Sequence, residues 1–385
     1  MVRPCVPQPT PSVALGRILG DDEGMALDGY AVIDLDGHVF EPDSLWDEYL
    51  DPAYRARRPR LRIDDRNTTR YEIDGALIPP GTGRGAWAPE GIMEATTHRD
   101  GGIDPVARLA DMDTEGIDVA VLYGAVSLGF YALPDADYAA ALCRAYHDWL
   151  HDYCATDPDR LKGAAMLPVQ SMDHALAEAR RCVEELGFVS LTVPCSVGDR
   201  NPADPENDPL YALAEELDVP IGFHAGGPRF AHQRFVDSYV QLHAIEFPFD
   251  VMFAVTNLIC GGVLERFTRL RIAMLEAGAG WAPFLVHRLD EHYEKRPGEM
   301  PEIRMEPSMY LADGRLVISC EAEPDLGHTI DRLGDHMVAY ASDYPHWDCE
   351  FPDSVTKIVQ RDDLSRDAKR MVLAGNARRV LFGGS

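Results

Sequence analysis

Ala31-Val32-Ile33-Asp34-Leu35-Asp36-Gly37-His38 reads as an apolar strand that stops abruptly at an Asp-x-His pair. Successive side chains of a strand alternate, so Asp36 and His38 point to one side and can grip a single ion from two directions. Two later apolar runs end in the same manner. Val219-Pro220-Ile221-Gly222-Phe223 closes on His224, and Met337-Val338-Ala339-Tyr340-Ala341-Ser342 closes on Asp343. Oxygen and nitrogen ligands delivered from strand ends make a site for one divalent metal.

Outward from these runs, short apolar segments alternate with amphipathic ones. Strand ends are expected near Ile33, Leu122, Leu167, Val193, Phe223, Met274, Ile318 and Ala341. Helical patterns fill 137–154, 172–186, 207–217, 236–258, 281–294, 324–334 and 366–381, the clearest being Met172-Asp173-His174-Ala175-Leu176-Ala177-Glu178-Ala179-Arg180-Arg181-Cys182-Val183. Eight strands alternating with helices predict an α/β chain folded as a (β/α)8 TIM barrel, occupying 29–385 as one domain. The active face of such a barrel is the one where strands end, and His38, His224 and Asp343 all fall there.

Residues 43–105, between the first and second strands, are too long for a simple crossover and are expected to form an insertion that covers the site as a lid. It carries Arg55, Arg57, Arg58, Arg60 and Arg70, and Asp74-Gly75 between apolar runs signals a hairpin. Gly81-Thr82-Gly83-Arg84-Gly85 lacks the Lys-Ser or Lys-Thr of a phosphate loop and reads as a lid tip. Residues 1–28, with Pro7, Pro9 and Pro11 and no continuous apolar core, read as a disordered leader without a signal peptide.

The formal net charge of −28 argues against nucleic acid, since nothing offsets phosphate repulsion. No window comes near the roughly 18 apolar residues of a membrane span, so no membrane partner is expected. The eight cysteines form no Cys-x-x-Cys pair, which supports neither a zinc ribbon nor a redox motif and fits a reducing cytoplasm.

Asp36 at the end of an apolar strand is costly to bury without a partner, which favours a ligand over a satisfied core residue. Asp34, two residues earlier on the same face, lies deeper and reads as a structural hydrogen-bonding residue. His224 is followed by Ala225-Gly226-Gly227, which opens a wide mouth. Asp343 can bind metal and take a proton from its water, or else cap the following segment. Glu276, ending the sixth strand before Ala277-Gly278-Ala279-Gly280-Trp281, is a candidate catalytic carboxylate or a partner for Arg288. His346 and Trp347 either line the substrate pocket or brace the turn. No lysine lies near the end of the fourth strand to bridge two ions, so a single ion is expected, Zn²⁺ first with Mn²⁺ or Fe²⁺ as alternatives.

Five pieces in order resemble the amidohydrolase superfamily, in the branch typified by aminocarboxymuconate-semialdehyde decarboxylase. They are Asp36-Gly37-His38-Val39-Phe40-Glu41-Pro42, Arg108-Leu109-Ala110-Asp111-Met112-Asp113-Thr114-Glu115-Gly116-Ile117, Gly261-Gly262-Val263-Leu264-Glu265-Arg266-Phe267, Ser342-Asp343-Tyr344-Pro345-His346 and Gly375-Asn376-Ala377. The resemblance spans about residues 30 to 381 and implies a metal-dependent barrel enzyme, usually dimeric, with zinc or manganese. It places the strand-one His-x-His on Asp36 and His38, the strand-five histidine on His224 and the strand-eight aspartate on Asp343. Two departures stand out: Asp36 replaces a histidine, and Glu276 replaces the strand-six histidine often assigned as proton shuttle.

The expectation from the sequence is a mononuclear metal-dependent hydrolase of a small organic amide, lactam, ester or C–C bond, acting through a metal-activated water. Asp36, His38, His224 and Asp343 are its metal ligands and Asp343 and Glu276 its catalytic residues, with His346, Trp347, Arg70 and Arg288 binding substrate. The alternatives are a non-oxidative decarboxylase of an aromatic or unsaturated acid, which is a lyase, and a non-catalytic metal-binding barrel.

Overall fold

The computed structural model describes residues 27–63, 69–78, 99–196, 200–226 and 239–383. All eight expected strands are present: β1 Ile33–Val39, β2 Val119–Gly124, β3 Leu161–Met166, β4 Ser190–Pro194, β5 Ile221–His224, β6 Ile272–Leu275, β7 Leu316–Cys320 and β8 Val338–Tyr340. They pair in parallel in chain order to form one eight-stranded sheet, a nearly closed barrel. The last seam is sealed just past β8, where Asp343 N donates to Asp36 O at 3.0 Å and His38 N to Tyr344 O at 2.6 Å. Those two bonds carry Asp343 to the mouth beside His38.

Period-2 alternation sorts the strands between two cores. In β2, Val119, Val121 and Tyr123 join one cluster, while Ala120 and Leu122 join the larger cluster shared with the helices. In β1 the alternation breaks. Its register with β2 slips by one residue between Asp34 and Gly37, the signature of a bulge. The extra residue separates two acids expected on one face. Asp34 turns to Ser342 and Arg108, and Asp36 turns to His38 and His224.

Six of the seven expected helical patterns hold in type and place; within 236–258 the described helix is Phe247–Cys260, preceded by a π-turn at Leu242–Glu246. The helix Pro105–Glu115 was missed, although Asp104 accepts from Val106 N, Pro105 sits in the first turn and Gly116 ends the helix at φ 86°. His243–Cys260 also departs from expectation. By length and composition this stretch, with mean hydropathy 1.2, could cross a membrane, yet 44% of it is buried and Val251, Ala254, Val255 and Leu258 are core. A helix that lies against a barrel needs such a face.

The described part of the 43–105 insertion holds a helix, Asp43–Glu48, and a three-stranded antiparallel sheet of Arg60–Ile63, Thr69–Ile73 and Ala76–Ile78. The expected hairpin turn is there, with Asp74 and Gly75 at φ 51° and 78°. This part packs beside the helix Ala136–Cys154, through Tyr49 to Asp152, Tyr54 against Tyr138, and Tyr138 to the Arg57 carbonyl. The lid tip at 81–85 and residues 1–26 of the expected leader lie outside the described residues.

Candidate metal centre

Asp36, His38, His224 and Asp343 come together at the strand-end mouth, all buried. His38 Nε2 lies 3.6 Å from Asp36 Oδ1 and 3.3 Å from Asp343 Oδ1, and His224 Nε2 lies 3.6 Å from Asp36 Oδ1. His224 Nδ1 hydrogen-bonds the Ala225 carbonyl at 2.8 Å. That bond occupies Nδ1 and leaves Nε2, turned toward Asp36, as the nitrogen that would ligate a metal.

The donor set fits a cation. Asp36 Oδ1, both nitrogens of His38 and His224 Nε2 are buried with no hydrogen-bond partner among the described residues. Polar atoms so placed are costly unless an ion satisfies them.

Glu276 and His346 join the same mouth. His346 Nδ1 is 2.8 Å from Asp343 Oδ1 and 3.6 Å from Glu276 Oε1, and its ring stacks on His38 at 4.0 Å. Glu276 Oε2 lies 3.2 Å from His224 Nδ1. Glu276 and Asp343, each just past its strand, hold left-handed φ of 57° and 52°. Such a conformation costs a non-glycine residue on the order of 1–3 kcal/mol and concentrates at functional sites.

The electrostatics are those of an anionic cradle. Burial alone would lower the His224 and His346 imidazoles, but Asp36 and Glu276 lift His224 to about 9, and Asp343 and Glu276 lift His346 to about 10. Burial pushes the Asp343 carboxyl up, yet His346 and His38 outweigh it and hold it well below the carboxylate range. His38 goes the other way, lowered by burial and by the charge of His346.

Three further residues belong to the mouth and were not singled out from the sequence. His243 lies 3.9 Å from Glu276 Oε1 and 3.7 Å from Asp348 Oδ2. Burial and then Asp343 push Asp348 to about 6, and burial with Asp343 and Asp348 pushes Glu321 to about 9. Glu321 directly follows β7, so the strand-end rule that marked Asp343 applied to it as well. His243 was hidden inside a helical pattern.

Trp347 is half-buried with its ring 5.9 Å from His243, at the edge of this group. Arg288 is not brought to the mouth: it is half-exposed on the helix Ala282–Lys295 and pairs with Glu291 at 3.2 Å. Of the insertion's described arginines, Arg57 is engaged by Asp74 and Asp135 and Arg58 by Asp47. The side chain of Arg70 lies outside the described residues.

A parallel barrel whose strand ends converge buried imidazoles and carboxylates defines a metal-dependent enzyme of the (β/α)8 class. The family model described as Amidohydrolase matches residues 33–383, and the chain belongs to that family. The 2-amino-3-carboxymuconate-6-semialdehyde decarboxylase of Dictyostelium discoideum is 24% identical over 281 residues, 72% of this chain and 76% of that protein. The gamma-resorcylate decarboxylase of Rhizobium radiobacter is 29% identical over 249 residues, 62% of this chain and 76% of that protein. Among solved structures, an amidohydrolase from Mycobacterium avium subsp. paratuberculosis K-10 superposes with a TM-score of 0.75 at 22% identity, covering 91% of this chain and 99% of its own. The 5-carboxyvanillate decarboxylase of Novosphingobium aromaticivorans, with bound manganese and 3-methoxy-4-hydroxy-5-nitrobenzoic acid, superposes at 0.71 and 22% identity over 94% of this chain and 99% of that one.

Proposed function

We propose that this enzyme is a metal-dependent, non-oxidative decarboxylase of a small aromatic or unsaturated carboxylic acid. The reading rests on the cradle at the strand ends, taken with the decarboxylase activity named for relatives that align over 72% and 62% of the chain. It replaces the hydrolase expected from the sequence as the first reading.

Asp36, His38, His224 and Asp343 would hold a divalent ion, which when bound polarises a substrate oxygen and draws electron density from the bond to be broken. When the bond to the carboxylate carbon breaks, its electron pair stays on the substrate carbon, CO₂ leaves, and that carbon takes a proton. His346 and Glu276 are placed to hold and deliver that proton, from Nδ1 and Oε1 at 3.6 Å from each other. The oxygen-rich donor set, with Asp36 in place of an imidazole, suits Mn²⁺ or Fe²⁺ as well as Zn²⁺.

One observation favours hydrolysis instead. Among the described residues no arginine or lysine pairs with Asp36, Glu276, Asp343 or Asp348, whose partners are histidines. A neutral amide, lactam or ester needs no such cation. Mn²⁺-loaded enzyme incubated with carboxyl-¹³C hydroxybenzoates and unsaturated acids, in parallel with amides, lactams and esters in H₂¹⁸O, separates the two. Labelled CO₂ supports decarboxylation, and ¹⁸O in the products without CO₂ release overturns it.

A further inference from the structure

We propose that His243 relays protons from solvent to Glu276, so that the buried acid is reprotonated after each turnover. The inference rests on the decarboxylase reading above and adds the route by which its proton arrives.

The balance of the reaction demands such a route. A carboxylate anion and one proton become CO₂ and a carbon–hydrogen bond, so every turnover draws a proton from water. The groups placed to deliver it are nearly closed off: the side chains of Glu276 and His346 are only 7% and 3% exposed. His243 and Asp348 are 22% and 25% exposed, open enough to exchange protons with solvent. Exposure thus falls in steps from the rim to the delivering groups.

The geometry follows the same steps. Asp348 Oδ2 lies 3.7 Å from His243 Nδ1, and His243 Nε2 lies 3.9 Å from Glu276 Oε1. That same Glu276 oxygen is 3.6 Å from His346 Nδ1. Each gap is longer than a direct hydrogen bond and is closed by a small side-chain rotation or one water. The two ring nitrogens face different acids, so one can take a proton while the other gives one up. Nδ1 takes a proton delivered from water through Asp348, and the imidazolium so formed passes its Nε2 proton to Glu276 Oε1. Exchange with water then returns the ring to its starting tautomer.

The local structure holds the ring in place for this. His243 sits in the π-turn Leu242–Glu246, with its ring centre 4.6 Å from that of Phe247 and 5.9 Å from that of Trp347. Single π-turns within helices are frequent at functional sites. Burial disfavours the charged ring, but Glu276 and then Asp348 prevail and raise its pKa, which helps the imidazolium to form.

The test uses Mn²⁺-loaded full-length enzyme and a carboxyl-¹³C hydroxybenzoate or unsaturated acid that it turns over. His243→Gln and His243→Ala should lower kcat about 100-fold, the lower end of what a positioned proton-transfer group contributes, with KM and Mn²⁺ content unchanged. Single-turnover release of ¹³CO₂, with enzyme in excess, should keep the unmodified rate, because the buried acid is already protonated. Imidazole added to His243→Ala should restore steady-state turnover, which a merely structural loss would not permit. The relay is overturned by an unchanged kcat in the folded variants, by loss of Mn²⁺, or by equal falls in single-turnover and steady-state rates without rescue by imidazole. Circular dichroism identifies a variant that has not folded, and the other variant then decides. If the unmodified enzyme releases no CO₂ from any of these acids, the decarboxylase reading fails and the relay falls with it.

Discussion

Asp34 and Ser342 join the first strand to the end of the eighth: the Ser342 N–H donates to Asp34 Oδ1 at 2.8 Å and its hydroxyl to Oδ2 at 2.6 Å. The same hydroxyl accepts from Tyr344 N at 3.1 Å, and Arg108 approaches Asp34 to 3.7 Å. Asp34 therefore fixes the seam that delivers Asp343 to His38, the structural role expected from its sequence position. Ser342→Ala removes the hydroxyl from a fully buried carboxylate and should cost about 1–3 kcal/mol. Urea unfolding of the two proteins measures it.

Glu178 ties the helices Ala136–Cys154 and Met172–Glu184 through His147 Nδ1 at 2.7 Å and Arg181 at 2.6 Å. Burial pushes its carboxyl up, but His147 and Arg181 prevail and hold it well below the usual range. Glu178→Ala strips the buried His147 of its carboxylate, leaves Arg181 with Asp148 alone, and should destabilise by roughly 3–5 kcal/mol. A chemical denaturation midpoint that does not move would show that the pairing contributes nothing.

Burial and then the charge of Glu246 raise Asp250 to about 8, against 3.8 for the free side chain. The folded chain thus holds a proton that the unfolded chain has released between those two values. Stability contributed by the protonated carboxyl is present below pH 4 and declines as the pH rises toward 8. Asp250→Asn, which cannot ionise, should raise the melting temperature at pH 8 and leave it nearly unchanged at pH 4. An equal shift at both pH values would contradict the assignment.

Metal should stabilise the fold by mass action, about 2.7 kcal/mol at a free concentration one hundred times the dissociation constant. Stripping with a chelator is expected to lower the melting temperature and abolish turnover, and Mn²⁺ to restore both. His224→Ala should show little of the recovery, because it removes a ligand that Ala225 has already oriented.

The barrel was legible because each strand is a buried run, several of them stopping at a polar residue, and parallel pairing follows from the intervening helices. His38, His224 and Asp343 were legible for the same reason. The bulge in β1 was not, since nothing in Asp34-Leu35-Asp36-Gly37 distinguishes a slipped register from simple alternation. Nor was the fate of Arg57 or Arg288: a long cation finds whichever acid the packing supplies, here Asp74 and Asp135 for one and Glu291 for the other. His243 meets Glu276 and Asp348 only through tertiary packing of segments far apart in the chain.

The most direct test of the metal centre is a crystal of Mn²⁺-loaded enzyme with anomalous data collected on both sides of the manganese absorption edge. A peak present only above the edge and bonded to Asp36, His38 and His224 is the predicted result. Density showing those three side chains hydrogen-bonded to one another, with no anomalous peak among them, would contradict it.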